Sequence, residues 1–225
     1  MREQMKLVLE QAAKLQKLVP DAILVGGSAA AIYAEHRFSL DHDHVLADLE
    51  NKFDLVLEAL ERESGWITNR VVYGKIILGE LGGIEAGVRQ LIRKRPLEFE
   101  KIEIDEFTLN VPTIQEILRI KAFLIVKRNQ MRDYLDFAAL SDKMGIIESA
   151  KIVDKIDEYY TDESKDDKPL LSQLLRQLGS PDPKDKSNIK MLRVYKGTTE
   201  KWKDWNNITE ICKKVAVKVM ENSYA

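Results

Sequence analysis

The residues best suited to chemistry lie in LVGGSAAAIYAEHRFSLDHDHVL, 24–46. Gly26, Gly27 and Ser28 follow the short apolar run AILV, 22–25, and lead straight into AAAIYAEHR, which reads as a helix. A strand that enters a helix through glycines aims backbone N–H groups and the positive helix end at one spot, which suits phosphate. Glycine lets the backbone come close to such a ligand, and Ser28 adds a hydroxyl. Asp41 and Asp43 sit in DHDHVLAD, 41–48, whose alternation predicts a strand. Residues i and i+2 of a strand share a face, so the two carboxylates converge while His42 and His44 point the other way. Adjacent carboxylates repel by ~1 kcal/mol or more, and a divalent cation removes that cost. Hard oxygen ligands select Mg²⁺ (or Mn²⁺), which keeps some waters and grips substrate phosphates. A phosphate cradle beside a two-carboxylate metal site is equipment for phosphoryl or nucleotidyl transfer.

The elements that must position these groups follow from periodicity. Residues 2–18 carry an amphipathic helical pattern ended by Pro20, and 50–63 carry another helix. WITNRVVY, KIILGEL, GIEAGVRQL, EKIEID and FTLNV read as strands, punctuated by Gly74, Gly79, Gly82 and Gly83, which predicts hairpins in a mixed sheet. At Pro112 the character changes. Residues 113–130, 131–143 and 147–160 read as helices, 161–168 and 180–187 as loops, PLLSQLLRQL as a short helix opened by Pro169, and 199–222 as a last helix. The expected fold class is α+β: a mixed sheet with flanking helices over 1–111, then a helical domain over 112–225 whose first part, 112–145, completes the active-site cleft.

Composition narrows the class. The 225 residues are 44% hydrophobic and 32% charged, enough for a core and against disorder. No stretch reaches the ~18 apolar residues of a membrane span. The N-terminal stretch has a charge or amide every few residues and is no signal peptide. A single cysteine, Cys212, allows no internal disulfide, which points to the cytoplasm. A net charge of −2 argues against a chain coated in nucleic acid.

The order GGS, helix, DxD resembles the signature of the DNA polymerase β-like nucleotidyltransferase superfamily. The fuller string GGSAAAIYAEHRFSLDHD is similar to the AbiEii-type nucleotidyltransferases, which include toxins of type IV toxin–antitoxin systems. Gly26, Gly27, Ser28, His36, Arg37, Ser39, Asp41 and Asp43 fill that family's places. The resemblance implies a third carboxylate on a later strand. Glu85, mid-strand in GGIEAGVRQ, is the candidate, with Glu80, Glu103 and Asp105 as competitors. It extends through VPTIQEILRIKAFLIVKRNQMRDYLDFAAL, where Lys121, Arg128, Arg132, Asp133 and Asp136 fill the family pattern. Positions 121, 128, 132 and 136 are spaced 7, 4 and 4 and so form one stripe on a continuous helix. Lys121, inside ILRIKAFLIV, is costly to bury unless it meets an anion, and a triphosphate is one.

The expected reaction is metal-dependent transfer of a nucleoside monophosphate from an NTP. Asp41 and Asp43 hold Mg²⁺, Glu85 positions or activates the acceptor hydroxyl, Gly26, Gly27 and Ser28 bind phosphates, and Lys121 with Arg128 or Arg132 neutralises charge. The resemblance implies RNA, such as a tRNA end, or a protein hydroxyl as acceptor, and a cognate antitoxin as partner. A small-molecule nucleotidyltransferase of the antibiotic-modifying kind and a non-catalytic nucleotide-binding or antitoxin-like module stay open as alternatives. Other readings stand beside these. Lys121 can snorkel, and Arg128, Arg132, Asp133 and Asp136 can be a structural ion network. His36, His42 and His44 invite zinc but lack a convergent third ligand. Arg89, Arg93, Lys94 and Arg95 read as a solvated basic run that could otherwise touch an RNA backbone. Trp202 and Trp205 read as anchors, and Cys212 as a buried helix residue.

Overall fold

The computed structural model describes residues 3–161, 169–195 and 197–223, so most of the polar stretch 161–168 lies outside the described residues. The chain forms two compact units, Met1–Ile32 with Phe38–Thr113, and Tyr33–Arg37 with Ile114–Ala225.

In the first unit, the alternation of apolar and polar positions sets the strands. The elements are α1 (Glu3–Leu18), β1 (Ile23–Val25), α2 (Gly26–Ala34, whose last two residues belong to the second unit), β2 (Asp41–Leu46), α3 (Leu49–Glu61), β3 (Trp66–Val72), β4 (Ile76–Leu81), β5 (Ile84–Gln90), β6 (Phe99–Ile104) and β7 (Phe107–Pro112). Five strands form a mixed sheet in the order β1-β2-β5-β4-β3. β2 and β5 run parallel and the other neighbours antiparallel. One face is packed: Leu46, Ala86, Val88, Ile77 and Leu81 meet Leu15 and Val19 from α1 and its end, and Leu49, Phe53, Val56 and Leu60 from α3. Burying such aliphatic side chains is worth roughly 1.5–3 kcal/mol each before conformational entropy is set against it. The opposite face is only half-buried along β2 and β4 and mixes Asp41, Asp43 and Glu80 with Val45, Ile76 and Leu78. β6 and β7 form a separate two-stranded sheet rather than joining the first. α1 meets β7 through reciprocal bonds: Gln16 Nε2 donates to the Asn110 carbonyl at 3.0 Å, and the Asn110 amide donates to Gln16 Oε1 at 2.7 Å.

The second unit is helical: α4 (Ile114–Arg128), α5 (Met131–Met144), α6 (Ile146–Asp154), α7 (Ile156–Tyr159), α8 (Leu170–Gly179), α9 (Ser187–Lys190) and α10 (Trp205–Ser223). Ring contacts knit it together, Phe123 stacking on Tyr160 at 4.1 Å and Tyr134 meeting Trp205 edge-on at 5.9 Å. Trp202 and Cys212 are buried, and burial pushes the thiol up, which fits a packing residue. The α+β class expected from the sequence holds. Two expectations are corrected. The stripe through 121, 128, 132 and 136 is not continuous, because the chain turns at Asn129 with φ +51. Asn tolerates that left-handed conformation, the Tyr134 hydroxyl donates to its side-chain oxygen at 2.5 Å, and Asp185 caps the next helix at the Met131 amide. The helix expected over 147–160 is likewise divided at Lys155.

Candidate active site

Gly26 starts α2 with φ +76, a backbone conformation that glycine adopts without strain. A Cβ there would lie 3.7 Å from Asp43 Cβ and 3.8 Å from Asp43 Oδ2, so the first turn of the helix borders that carboxylate. The Ser28 hydroxyl is buried and donates to the Asp41 carbonyl at 2.6 Å, tying the helix to β2.

Along β2 the predicted alternation is realised: Asp41, Asp43 and Val45 are half-buried, while His42, His44 and Leu46 are buried. Asp41 accepts a hydrogen bond from Ser39, and Asp43 Oδ1 accepts one from Arg89 Nε at 3.4 Å. The parallel register sets Asp41 beside Glu85 and Asp43 beside Gly87. Glu85 also pairs with Glu80 across β4, so Asp41, Glu85 and Glu80 stand in one row across three strands. The remaining competitors, Glu103 and Asp105, belong to the β6–β7 hairpin; Glu103 pairs with Thr108, and Asp105 forms an ion pair with Lys6 at 2.8 Å.

The histidines do not gather. His42 and His44 pack edge-on at 5.4 Å on the buried face of β2. Burial lowers His42 to about 4 and His44 well below its ordinary 6.5. Among the described residues, no group of three or more His, Cys, Asp or Glu could hold a metal. Two adjacent carboxylates, bordered by two glycines that leave room at Asp43, still fit Mg²⁺, which fills its other positions with water and phosphate oxygen.

The second unit holds a different carboxylate site. Asp136 is fully buried. Its Oδ1 accepts from His36 Nε2 at 2.7 Å and Arg37 Nε at 2.7 Å; its Oδ2 accepts from Arg37 Nη2 at 2.9 Å and pairs with Lys121 Nζ at 2.7 Å. Burial alone would push this carboxyl up, but Arg37, Lys121 and the His36 hydrogen bond hold it well below the ordinary range. Burial lowers His36 despite Asp136, so the neutral ring carries its proton on Nε2, facing the acceptor. The structure therefore gives Lys121 an anion, and that anion is Asp136. Arg128 makes a two-pronged contact with Asp133 at 2.7 and 2.6 Å, and the half-buried Arg132 donates to Gln130 at 3.1 Å.

Two features escaped the sequence reading. The role of His36 and Arg37 at Asp136 spans 100 residues and leaves no local signal. Arg89 did leave one: Glu85, Gly87 and Arg89 alternate in GIEAGVRQ and so share a face. The basic run is not one surface, since buried Arg93 donates to the carbonyls of Arg95 and Pro96.

The glycine-led start of α2 thus borders Asp43, and Asp41 shares its face of β2. The model of the nucleotidyl transferase AbiEii toxin family, type IV toxin–antitoxin system, matches residues 7–207, and the chain belongs to this family of nucleotidyltransferases. The solved structure of MenT4, a nucleotidyltransferase toxin from Mycobacterium tuberculosis, shares the fold at a TM-score of 0.61 and 17% identity, covering 98% of this chain and 86% of that one. ANT(2")-Ia, solved with adenylyl-2"-tobramycin, aligns at a TM-score of 0.50 and 10% identity over 70% of this chain and 98% of that one. Among curated proteins, the mycolic acid-containing lipids exporter MmpL11 of Mycolicibacterium smegmatis is 30% identical over 132 residues, 58% of this chain and 13% of the exporter. A probable transport protein MmpL11 of Mycobacterium bovis is 26% identical over 244 residues, 97% of this chain and 23% of its own length. The chain thus spans less than a quarter of the curated relatives it matches. Among the described residues, no helix is long and apolar enough to cross a membrane.

Proposed function

We propose that the protein transfers a nucleoside monophosphate from an NTP to a hydroxyl on RNA, such as a tRNA end, or on a protein, acting in the cytoplasm as a toxin held in check by a cognate antitoxin. The observation that carries this reading is the placement of Asp41 and Asp43 on the open face of β2, bordered by the glycine-led start of α2. In the proposal, Gly26, Gly27 and Ser28 offer backbone N–H groups to the triphosphate, because the buried Ser28 hydroxyl expected to bind phosphate is already given to the Asp41 carbonyl. Asp41 and Asp43 hold Mg²⁺ or Mn²⁺. When bound, the ion would neutralise triphosphate oxygens and so favour attack at the α-phosphorus, with the bond to the β-phosphate broken and pyrophosphate released. Glu85, in register with Asp41, orients the acceptor hydroxyl and takes its proton. Of the three cations proposed for nucleotide binding, Arg132 takes that role only by giving up Gln130. Lys121 and Arg128 take it only by exchanging Asp136 and Asp133 for phosphate.

The test is incubation of the purified protein with Mg²⁺ and each α-³²P-labelled NTP, offering total RNA, the protein itself and a cell extract as acceptors. Label in a band that disappears in Asp41→Ala/Asp43→Ala establishes the reaction and the acceptor class. Transfer that persists in the double variant refutes the assignment. Label only in a small molecule from the extract favours the antibiotic-modifying type of acceptor instead.

A further inference from the structure

On the open sheet face, Arg89 stands one pleat beyond Gly87, which is itself in register with Asp43. Its Nε reaches Asp43 Oδ1 at 3.4 Å, near the outer limit for a hydrogen bond, with the two side chains 41% and 35% exposed. Gly87 keeps this region clear: a Cβ there would come within 2.8 Å of the same Asp43 oxygen and within 2.8 Å of Leu78 Cδ2. The Arg128–Asp133 contact shows what a structural pair looks like here, with two prongs at 2.7 and 2.6 Å on a carboxylate that is 0% exposed. The Arg89 contact has one long prong on an exposed carboxylate, which is the form of a pair that can be exchanged.

We propose that Arg89 is the resident counter-cation of the Asp41–Asp43 pair: it offsets their repulsion in the ligand-free chain, gives up Asp43 Oδ1 to an arriving divalent ion, and keeps that carboxylate aimed along the open face. This rests on the metal-dependent reading above. Arg89 is a positioning residue, acting through Asp43. Removing its charge has two effects of opposite sign. The divalent ion binds more tightly, because a cation no longer competes for the same oxygen. Turnover slows, because Asp43 loses the group that aims it.

The experiment titrates Mn²⁺, without nucleotide, into the wild type, Arg89→Gln, Arg89→Lys and Asp43→Asn, following bound ion by electron paramagnetic resonance and Tm by fluorimetry. Loss of one positive charge a few ångströms from the ion predicts about five-fold tighter Mn²⁺ binding in Arg89→Gln. The metal-induced rise in Tm becomes larger than in the wild type, kcat falls several-fold, and KM for the NTP stays within two-fold. Arg89→Lys keeps wild-type Mn²⁺ affinity. Arg89→Ala gives the same test should the glutamine variant fail to fold. Mn²⁺ binding that Asp43→Asn removes but Arg89→Gln leaves unchanged or weakens overturns the role of Arg89 alone. A wild type that binds no Mn²⁺ overturns the two-carboxylate metal site and this proposal together.

Discussion

Asp136 and the Asp41–Asp43 pair are both carboxylate sites near cations, yet they are built in opposite ways. Asp136 is wholly buried, with His36, Arg37 and Lys121 converging on its two oxygens at 2.7–2.9 Å. Asp43 is one-third exposed, beside a like charge, with a guanidinium at 3.4 Å. Buried charge must be matched closely or it is ruinous to stability. Exposed charge can stay loosely matched, and only a loosely matched carboxylate has oxygen lone pairs to give to a substrate's counter-ion. The first arrangement suits architecture and the second suits chemistry.

The sharpest way to break this comparison is to neutralise one carboxylate from each site. Asp136→Asn leaves two buried cations without their anion and should cost about 3–5 kcal/mol in urea unfolding. Asp43→Asn should abolish transfer while moving stability by less than ~1 kcal/mol, because its ion pair is exposed. Equal losses of stability in the two variants would sink the distinction.

Acid sharpens it next. His42 sits near 4 in the folded protein against an ordinary 6.5, and His44 and His36 are also lowered. Between pH 6.5 and 4 the unfolded chain therefore binds protons that the folded chain refuses, so stability rises with pH through that window and is lost on acidification. His42 alone should account for about 3 kcal/mol between neutral pH and pH 4. Unfolding at pH 7 and pH 4.5 should show the loss, and His42→Phe should reduce it, leaving the share of His44 and His36. Asp136, held below its ordinary value of 3.8, adds its own loss only at lower pH. The smallest effect on transfer is expected for Gly87→Ala, which pushes against two side-chain ends and should cost ~1–2 kcal/mol in stability. Its transfer rate should fall more than its stability, since one of those ends is Asp43; a rate that is unchanged would mean that the oxygen has room to spare.

How much of this was legible in the sequence depended on range. The i, i+2 rule placed Asp41 and Asp43 on one face and His42 and His44 on the other, because a strand's pleat is local. Glu85 was a candidate from its place mid-strand, but only strand pairing could set it beside Asp41. Helical periodicity separated 113–130 from 131–143, as α4 and α5 are separated, but the stripe through 121, 128, 132 and 136 ran the two helices together across the left-handed turn at Asn129. The partner of Lys121 was invisible for another reason. Sequence could say that a buried lysine needs an anion, and both a substrate phosphate and Asp136, 15 positions away on the next helix, satisfy that demand.

The segment Tyr33–Arg37, the last two residues of α2 and the three that follow, folds with the helices that begin at Ile114. Its His36 and Arg37 supply two of the three partners of Asp136. In genetic terms, the helical half is encoded in two pieces separated by most of the five-stranded sheet. A single crossover near Thr113 that exchanges C-terminal halves between diverged genes would transplant Asp136 and Lys121 but leave the matching histidine and arginine behind. Shuffled descendants would be selected against unless the short upstream piece travelled too, so the two halves should evolve as linked partners rather than as interchangeable modules.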